Sequence, residues 1–258
     1  VMDGYGHHEV IIDHFEHGME IHGMSHEHLE MLVGTYRRRM EELYSADDRI
    51  KYVLVFKNFG SAAGASIKHT HSQLIAMPIV PENVYNEVLS SQNYYRKYHQ
   101  CVFCSLIDEA LTFEATIYNR DSGEVRRTID VGQYVVERGE RFIAIKPFAS
   151  RYEWEVHIMP LQHQSNFMQI TPEDTADFAR VLKRTMQRLD KVLGGAQYNY
   201  YIHTVPRCEL SNDCDDSYHW HMEICPRTSI PTGFELGSGL FITTISPEDA
   251  AARLREAL

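Results

Sequence analysis

The sequence predicts an α+β fold built from two copies of one small unit, each an antiparallel sheet with flanking helices. Three observations predict it. First, features recur in one order in both halves: a Glu-Val pair, a histidine eight residues after its glutamate, a long helix with a tyrosine-bearing strand behind it, and a His-x-His strand. Second, the spacings nearly agree, since Glu9 precedes His69 by 60 residues and Glu155 precedes His219 by 64. Third, each His-x-His strand runs on to a related residue, Gln73 in the first half and Glu223 in the second. The halves are expected to divide as 1–98 and 99–258, with their sheets joined.

The elements follow in order. His8 to Asp13 reads as a short apolar strand, with His17 in the loop behind it. Ser25 caps a helix to about Tyr44, whose Leu29, Leu32, Tyr36, Met40 and Leu43 recur at helical spacing and mark its buried face. A strand over 52–60 enters a loop of small residues, and a second strand carries His69, His71 and Gln73 into the apolar run Leu74–Val80. Residues 81–98 read as helix plus linker. Cys101-Val-Phe-Cys104 heads a helix to Leu111, and strands are expected at about 114–119, 127–136, 141–146 and 152–159, with His163 in the loop after the last. Thr171-Pro-Glu-Asp174 starts a helix by its cap, its proline and its acids at the positive dipole end. Phe178, Val181, Leu182, Met186 and Leu189 line its buried face, and Gly194-Gly195 ends it. Strands at 198–203 and 217–224 and a final helix from Ser246 complete the chain.

Composition narrows the function. A net charge of −11, from 25 basic and 36 acidic residues, disfavours a dedicated nucleic-acid binder, so any phosphate site must be local. No apolar run approaches the ~20 residues that span a bilayer. The opening Val1-Met-Asp-Gly-Tyr-Gly-His-His has no apolar core of a signal peptide. Five cysteines with a single tight pair fit free thiols in a reducing compartment, and a cytoplasmic location is expected.

The chemistry concentrates in Gly60-Ser-Ala-Ala-Gly-Ala-Ser-Ile-Lys-His-Thr-His-Ser-Gln73. If His69, His71 and Gln73 lie in one strand, alternate side chains share a face. Two imidazoles and an amide beside a loop of bare backbone N–H groups suit phosphate chemistry. The plainer alternative is a half-exposed strand with its polar residues outward, but the small-residue loop argues against it. In the second half Cys101, Cys104, His163 and His219 form a Cys2His2 set, which favours a closed tetrahedral zinc site with a structural role. A lone CxxC is more often a redox pair or an accident; the placed histidines favour metal. The first-half equivalents are His17 and His69, and the matching cysteine positions would fall upstream of Val1.

These residues resemble the galactose-1-phosphate uridylyltransferase branch of the histidine-triad superfamily, which includes ADP-glucose phosphorylase-like proteins. The stretches that carry the resemblance are the loop and His-x-His-x-Gln motif above, Cys101–Cys104, Pro147-Phe-Ala-Ser-Arg151 with Glu155-Val156, Tyr218-His-Trp-His221 and Gly233-Phe-Glu-Leu-Gly-Ser-Gly239. The amino-terminal CxxC segment of the family is expected to be missing. The resemblance implies duplicated histidine-triad-like units and a ping-pong nucleotidyl transfer through His71. UMP would pass from UDP-glucose to galactose 1-phosphate; the alternative is an ADP-glucose or dinucleoside-polyphosphate phosphorylase using inorganic phosphate. A third reading is a zinc-stabilised nucleotide-binding protein without turnover. By family role His71 is the nucleophile and Gln73 stabilises charge on the phosphoryl oxygens. Ser66 and Gly64 contact phosphate, Asn58 lies near the nucleotide, and Glu235 meets the hexose hydroxyls. His17 and His69 are implied as first-half zinc ligands, His221 as a non-catalytic repeat of the nucleophile's place, and a homodimer as the assembly. Phe234 stands where better-studied uridylyltransferases have tyrosine.

Overall fold

The computed structural model describes residues 4–207 and 213–258; Cys208 and the chain's first three residues lie outside them. In chain order the elements are β1 (His7–Ile12), α1 (His26–Ala46), β2 (Tyr52–Phe59), β3 (His71–Met77), α2 (Glu82–Tyr98) and α3 (Val102–Thr112). Then come β4 (Glu114–Tyr118), β5 (Val125–Asp130), β6 (Val135–Arg138), β7 (Phe142–Ile145), β8 (Val156–Pro160) and α4 (Pro172–Leu193). The chain continues through β9 (Tyr198–His203), α5 (Cys214–Ser217), β10 (His221–Pro226), α6 (Gly233–Ser238) and α7 (Pro247–Glu256). The predicted α+β class with antiparallel strands and flanking helices is what forms.

Eight strands make one sheet in the order β1-β3-β2-β9-β10-β8-β7-β6, while β4 and β5 form a separate ribbon. The first six positions repeat under a two-fold relation, with β1-β3-β2 running inward from one edge and β8-β10-β9 from the other side, and β7 and β6 extend the sheet beyond β8. Register locates the axis. Gln73 lies opposite Phe56 and Glu223 opposite Tyr201, so matching Gln73 to Glu223 matches Phe56 to Tyr201; those two are themselves partners across β2 and β9.

Register also corrects the repeat by one residue. Val10 lies opposite Gln73, and His157 lies opposite Glu223, so Glu9 is equivalent to Val156 rather than to Glu155. One residue along a strand exchanges faces. Glu9 accordingly meets Arg39 of α1 at 2.8 Å, whereas Glu155 meets His157 at 2.8 Å on the opposite face.

The helix face carries the main core. Val53, Val55, Leu74, Tyr200, Ile202, Met222 and Ile224 point down onto α1 and α4, whose predicted apolar positions are all buried. Ser25 Oγ accepts from the His28 N–H at 3.1 Å, and Thr171 forms a reciprocal capping box with Asp174. Each such cap contributes about 1 kcal/mol. The other face is covered unevenly. Val84 and Val88 of α2 pack on Tyr52 and Tyr218, and Ile107 of α3 packs on Ile143 and Met159. All six residues of β10 are therefore buried, while Val10 and Ile12 on β1 stay 52% and 59% exposed.

Several boundaries differ from the expectation for local reasons. Residues 82–98 form one continuous helix without a linker, closed by His99 in the left-handed conformation. The strand expected at 127–136 breaks because Asp130 accepts from the Gly132 N–H at 2.8 Å and turns the chain. The strand expected from 152 begins at Val156, since the Glu155 carboxylate accepts from the backbone N–H groups of Arg151 and Tyr152 and ties them into a turn. His69 and His219 precede their strands rather than lying in them, which gives them different neighbours from His71 and His221.

Candidate functional site

His71 opens β3 and is 6% exposed. Its Nδ1 lies 2.8 Å from the carbonyl oxygen of His69. A carbonyl only accepts, so Nδ1 carries the proton and the lone pair sits on Nε2. That nitrogen has no partner among the described residues. Beside it opens a cavity of about 350 Å³ lined by Asn58, Gly60, Ser61, Ser66, Lys68 and His69, among others. His221 shows what the repeat does otherwise. Its Nδ1 makes the same bond, at 3.1 Å to the His219 carbonyl, but its Nε2 is taken by Glu87 at 3.1 Å and Glu223 at 3.4 Å beneath α2. The two imidazoles have equivalent places and opposite availability.

The loop above His71 is set from the second half of the chain. Gln197 Oε1 accepts from the Ala62 N–H at 2.6 Å, and Asn199 Nδ2 donates to Asn58 Oδ1 and to the Ala63 carbonyl, both at 2.8 Å. Gly60 has φ +85, and a Cβ there would come within 2.4 Å of the Gln197 side chain, so only glycine fits the crossing. Gly64 ends a short 3-10 turn in the left-handed region. Below, Lys57 Nζ reaches Asp13 at 2.5 Å, Thr70 Oγ1 at 2.8 Å and the His71 carbonyl at 3.1 Å, all inside the protein. Burial lowers the lysine's pKa, and the Asp13 carboxylate opposes that.

Gln73 lies two residues along the same face, its Oε1 2.9 Å from His8 Nε2. Glu235 is placed elsewhere. It is half-buried on α6, where its carboxylate accepts from the Thr232 N–H at 2.9 Å, and it does not line the His71 cavity.

Cys101, Cys104, His163 and His219 converge, with their ligand atoms all within 4.8 Å of one another. Cys104 Sγ lies 3.2 Å from His163 Nδ1 and 3.5 Å from His219 Nδ1. A tetrahedral zinc centre, with metal–sulfur near ~2.3 Å and metal–nitrogen near ~2.05 Å, sets sulfur and nitrogen about 3.6 Å apart, so the donors fit. The remote nitrogens are anchored as such ligands require: His163 Nε2 to the Asp215 carbonyl at 2.7 Å, His219 Nε2 to the Pro160 carbonyl at 2.9 Å. The Cys104 hydrogen bond pulls Cys101 down, and the same bond pushes Cys104 up. The first half repeats the imidazole part, with His17 Nδ1 3.2 Å from His69 Nδ1 and His69 Nε2 2.8 Å from the His14 carbonyl.

A further cluster escaped the sequence reading. Glu87, His203, His221 and Glu223 bring two carboxylates and two imidazoles together, with His203 Nδ1 2.8 Å from Glu87. Such a set suits a divalent transition ion. Burial alone would depress His221, but the carboxylates of Glu87 and Glu223 prevail and raise it to about 10. The His221-x-Glu223 pattern was visible in the sequence; Glu87 sits on a helix 14 residues beyond Gln73 and no spacing rule reaches it.

Comparison with known proteins agrees with this geometry. Residues 1–81 match the family model described as galactose-1-phosphate uridyl transferase, N-terminal domain. ADP-glucose phosphorylase of Arabidopsis thaliana is 29% identical over 98% of this chain. Its crystal structure with bound ADP-glucose superposes with a TM-score of 0.86 at 28% identity, covering 99% of this chain and 74% of that one. The chain is thus similar along nearly its whole length to galactose-1-phosphate uridylyltransferases and their phosphorylase relatives. The galactose-1-phosphate uridylyltransferase of Thermotoga maritima is 28% identical over 96% of the chain. The chain spans 65% of the length of the plant relative and 73% of the bacterial one. Among the described residues no helix is long and apolar enough to cross a membrane.

Proposed function

We propose that the protein transfers a nucleotidyl group from a nucleotide sugar through His71. The observation that carries this is the contrast between His71, which lines a cavity and whose Nε2 has no partner among the described residues, and His221, whose Nε2 is held by two carboxylates. Nε2 attacks the α-phosphorus and forms an N–P bond. The bond from phosphorus to the bridging oxygen breaks, and the sugar 1-phosphate leaves with the electron pair. An anionic acceptor, a second sugar 1-phosphate or inorganic phosphate, then attacks the same phosphorus and returns the lone pair to Nε2. Neutral imidazole suits this work near pH 7.

In this reading Gln73 donates to the phosphoryl oxygens, Ser66 and the Gly64 turn offer N–H and O–H groups to phosphate, and Asn58 orients the nucleotide. Zinc at Cys101, Cys104, His163 and His219 would fix α3 against the loops at the end of the sheet, and His17 with His69 would do the same beside β3. The division at residue 98, the contact of Glu235 with the hexose and the homodimer rest on the family resemblance. The four cysteines found free among the described residues support a reducing, cytoplasmic setting.

Two donors compete. Uridylyl transfer from UDP-glucose to galactose 1-phosphate follows the family model, whereas similarity to the plant phosphorylase along 98% of the chain favours ADP-glucose and phosphate. Incubation with each labelled nucleotide sugar and intact-mass measurement decides between them. A UMP or AMP adduct absent from His71→Ala is the expected result. Binding without any adduct would leave a nucleotide-binding protein without turnover.

A further inference from the structure

We propose that His8 is a positioning residue for this transfer: it holds the oxygen of the Gln73 amide and thereby turns the amide N–H groups toward the phosphoryl oxygens at His71. The proposal rests on the reading of His71 as nucleophile given above. Register puts the two side chains together. Val10 lies opposite Gln73 and His8 opposite Ile75, so His8 and Gln73 are diagonal neighbours on one face of the β1–β3 pair. They meet at 2.9 Å between His8 Nε2 and Gln73 Oε1. A carboxamide oxygen only accepts, so the imidazole donates, and the NH2 group is the end of Gln73 that remains for a ligand.

The orientation matters because the two ends of a carboxamide have opposite effects on an anion. As the Nε2–P bond forms and the leaving oxygen departs with its electron pair, negative charge builds on the non-bridging oxygens. N–H groups aimed there stabilise it, and an amide oxygen in their place repels it. A free side-chain amide samples both. The equivalent residue in the second half, Glu223, is held from several sides by Arg151, Tyr201, His203 and His221. Gln73 has no side-chain partner but His8 among the described residues. His8 is exposed, so its imidazole serves no core, and the open edge at Val10 and Ile12 leaves it room.

The test is single-turnover adduct formation in the full chain from labelled ADP-glucose and UDP-glucose, with wild type, His8→Ala, His8→Gln, Gln73→Ala and the double variant. His8→Ala is expected to slow adduct formation about tenfold at saturating nucleotide sugar with half-saturation unchanged. Gln73→Ala should slow it about 100-fold, and adding His8→Ala should slow it no further, because His8 acts through Gln73. His8→Gln retains a donor of similar reach and should restore most of the rate. A wild-type rate in His8→Ala, losses that multiply in the double variant, or failure of His8→Gln to rescue would each overturn the proposal and leave the nucleophile standing. Absence of an adduct in the wild type with either donor would overturn the nucleophile reading, and this proposal with it.

Discussion

Lys57→Met tests the buried support beneath His71. The Lys57 and Asp13 side chains are 1% and 0% exposed and 2.5 Å apart. Among the described residues Asp13 Oδ1 already lacks a partner, and without the lysine its Oδ2 keeps only the Thr70 hydroxyl at 3.4 Å. Breaking a buried ion pair from one side costs about 3–5 kcal/mol, because the remaining charge is stranded in a medium that cannot solvate it. Methionine fills the space of the lysine stem, so packing adds less than about 1.5 kcal/mol. The expected loss is therefore about 3–5 kcal/mol, a large share of the ~5–15 kcal/mol that holds a typical domain together. Urea denaturation reads it as a lower midpoint at unchanged slope. Replacing both partners, as Asp13→Leu with Lys57→Met, should recover most of it, since an apolar pair of similar volume is close to neutral. A single variant within about 1 kcal/mol of wild type would refute the reasoning, as would a double variant no better than the single.

Cys101→Ser should remove one equivalent of bound zinc per chain, measured by elemental analysis, with a fall in melting temperature; retention of the full metal content would contradict the Cys2His2 site. Gly60→Ala places a Cβ against Gln197 at a φ of +85, and should cost about 1–3 kcal/mol while slowing adduct formation through the displaced loop. Glu155 gives the pH dependence. Burial raises its pKa, but the hydrogen bond and charge of His157 and the charge of Arg151 outweigh that, and the folded value lies below the ordinary one. A depressed carboxylate contributes stability above its unfolded pKa of about 4.3, lost as pH falls toward the folded value. Glu155→Gln should thus be less stable at pH 7 by about 1–3 kcal/mol and lose less than wild type on acidification to pH 3, in urea melts at each pH. Parallel curves would show that Glu155 is not tied as described.

Much of the fold was legible because its signals are local. Helical spacing marked the buried faces of α1 and α4, and the Ser25 and Thr171 caps lie where their hydroxyls can reach the first-turn N–H groups. The CxxC pair marked the second-half candidate metal site because two of its donors share one turn, while His163 and His219 were placed by the repeat between the halves. The strand boundaries at 127–136 and 152–159 failed where a side-chain carboxylate, Asp130 or Glu155, captured backbone N–H groups that propensity assigns to a ladder.

The sequence by itself determined the α+β class, the repeat and the equivalent places of His71 and His221, since these depend on patterns along single strands and helices that recur in both halves. Only the tertiary structure decided which of two equivalent histidines is available, because that turns on Glu87 of α2 reaching His221 and on the cavity left open beside His71. It alone also shifted the Glu-Val match by one residue and seated His8 beside Gln73. Register, not composition, sets which face a strand residue occupies, and register is fixed by pairing between residues 59 to 69 positions apart.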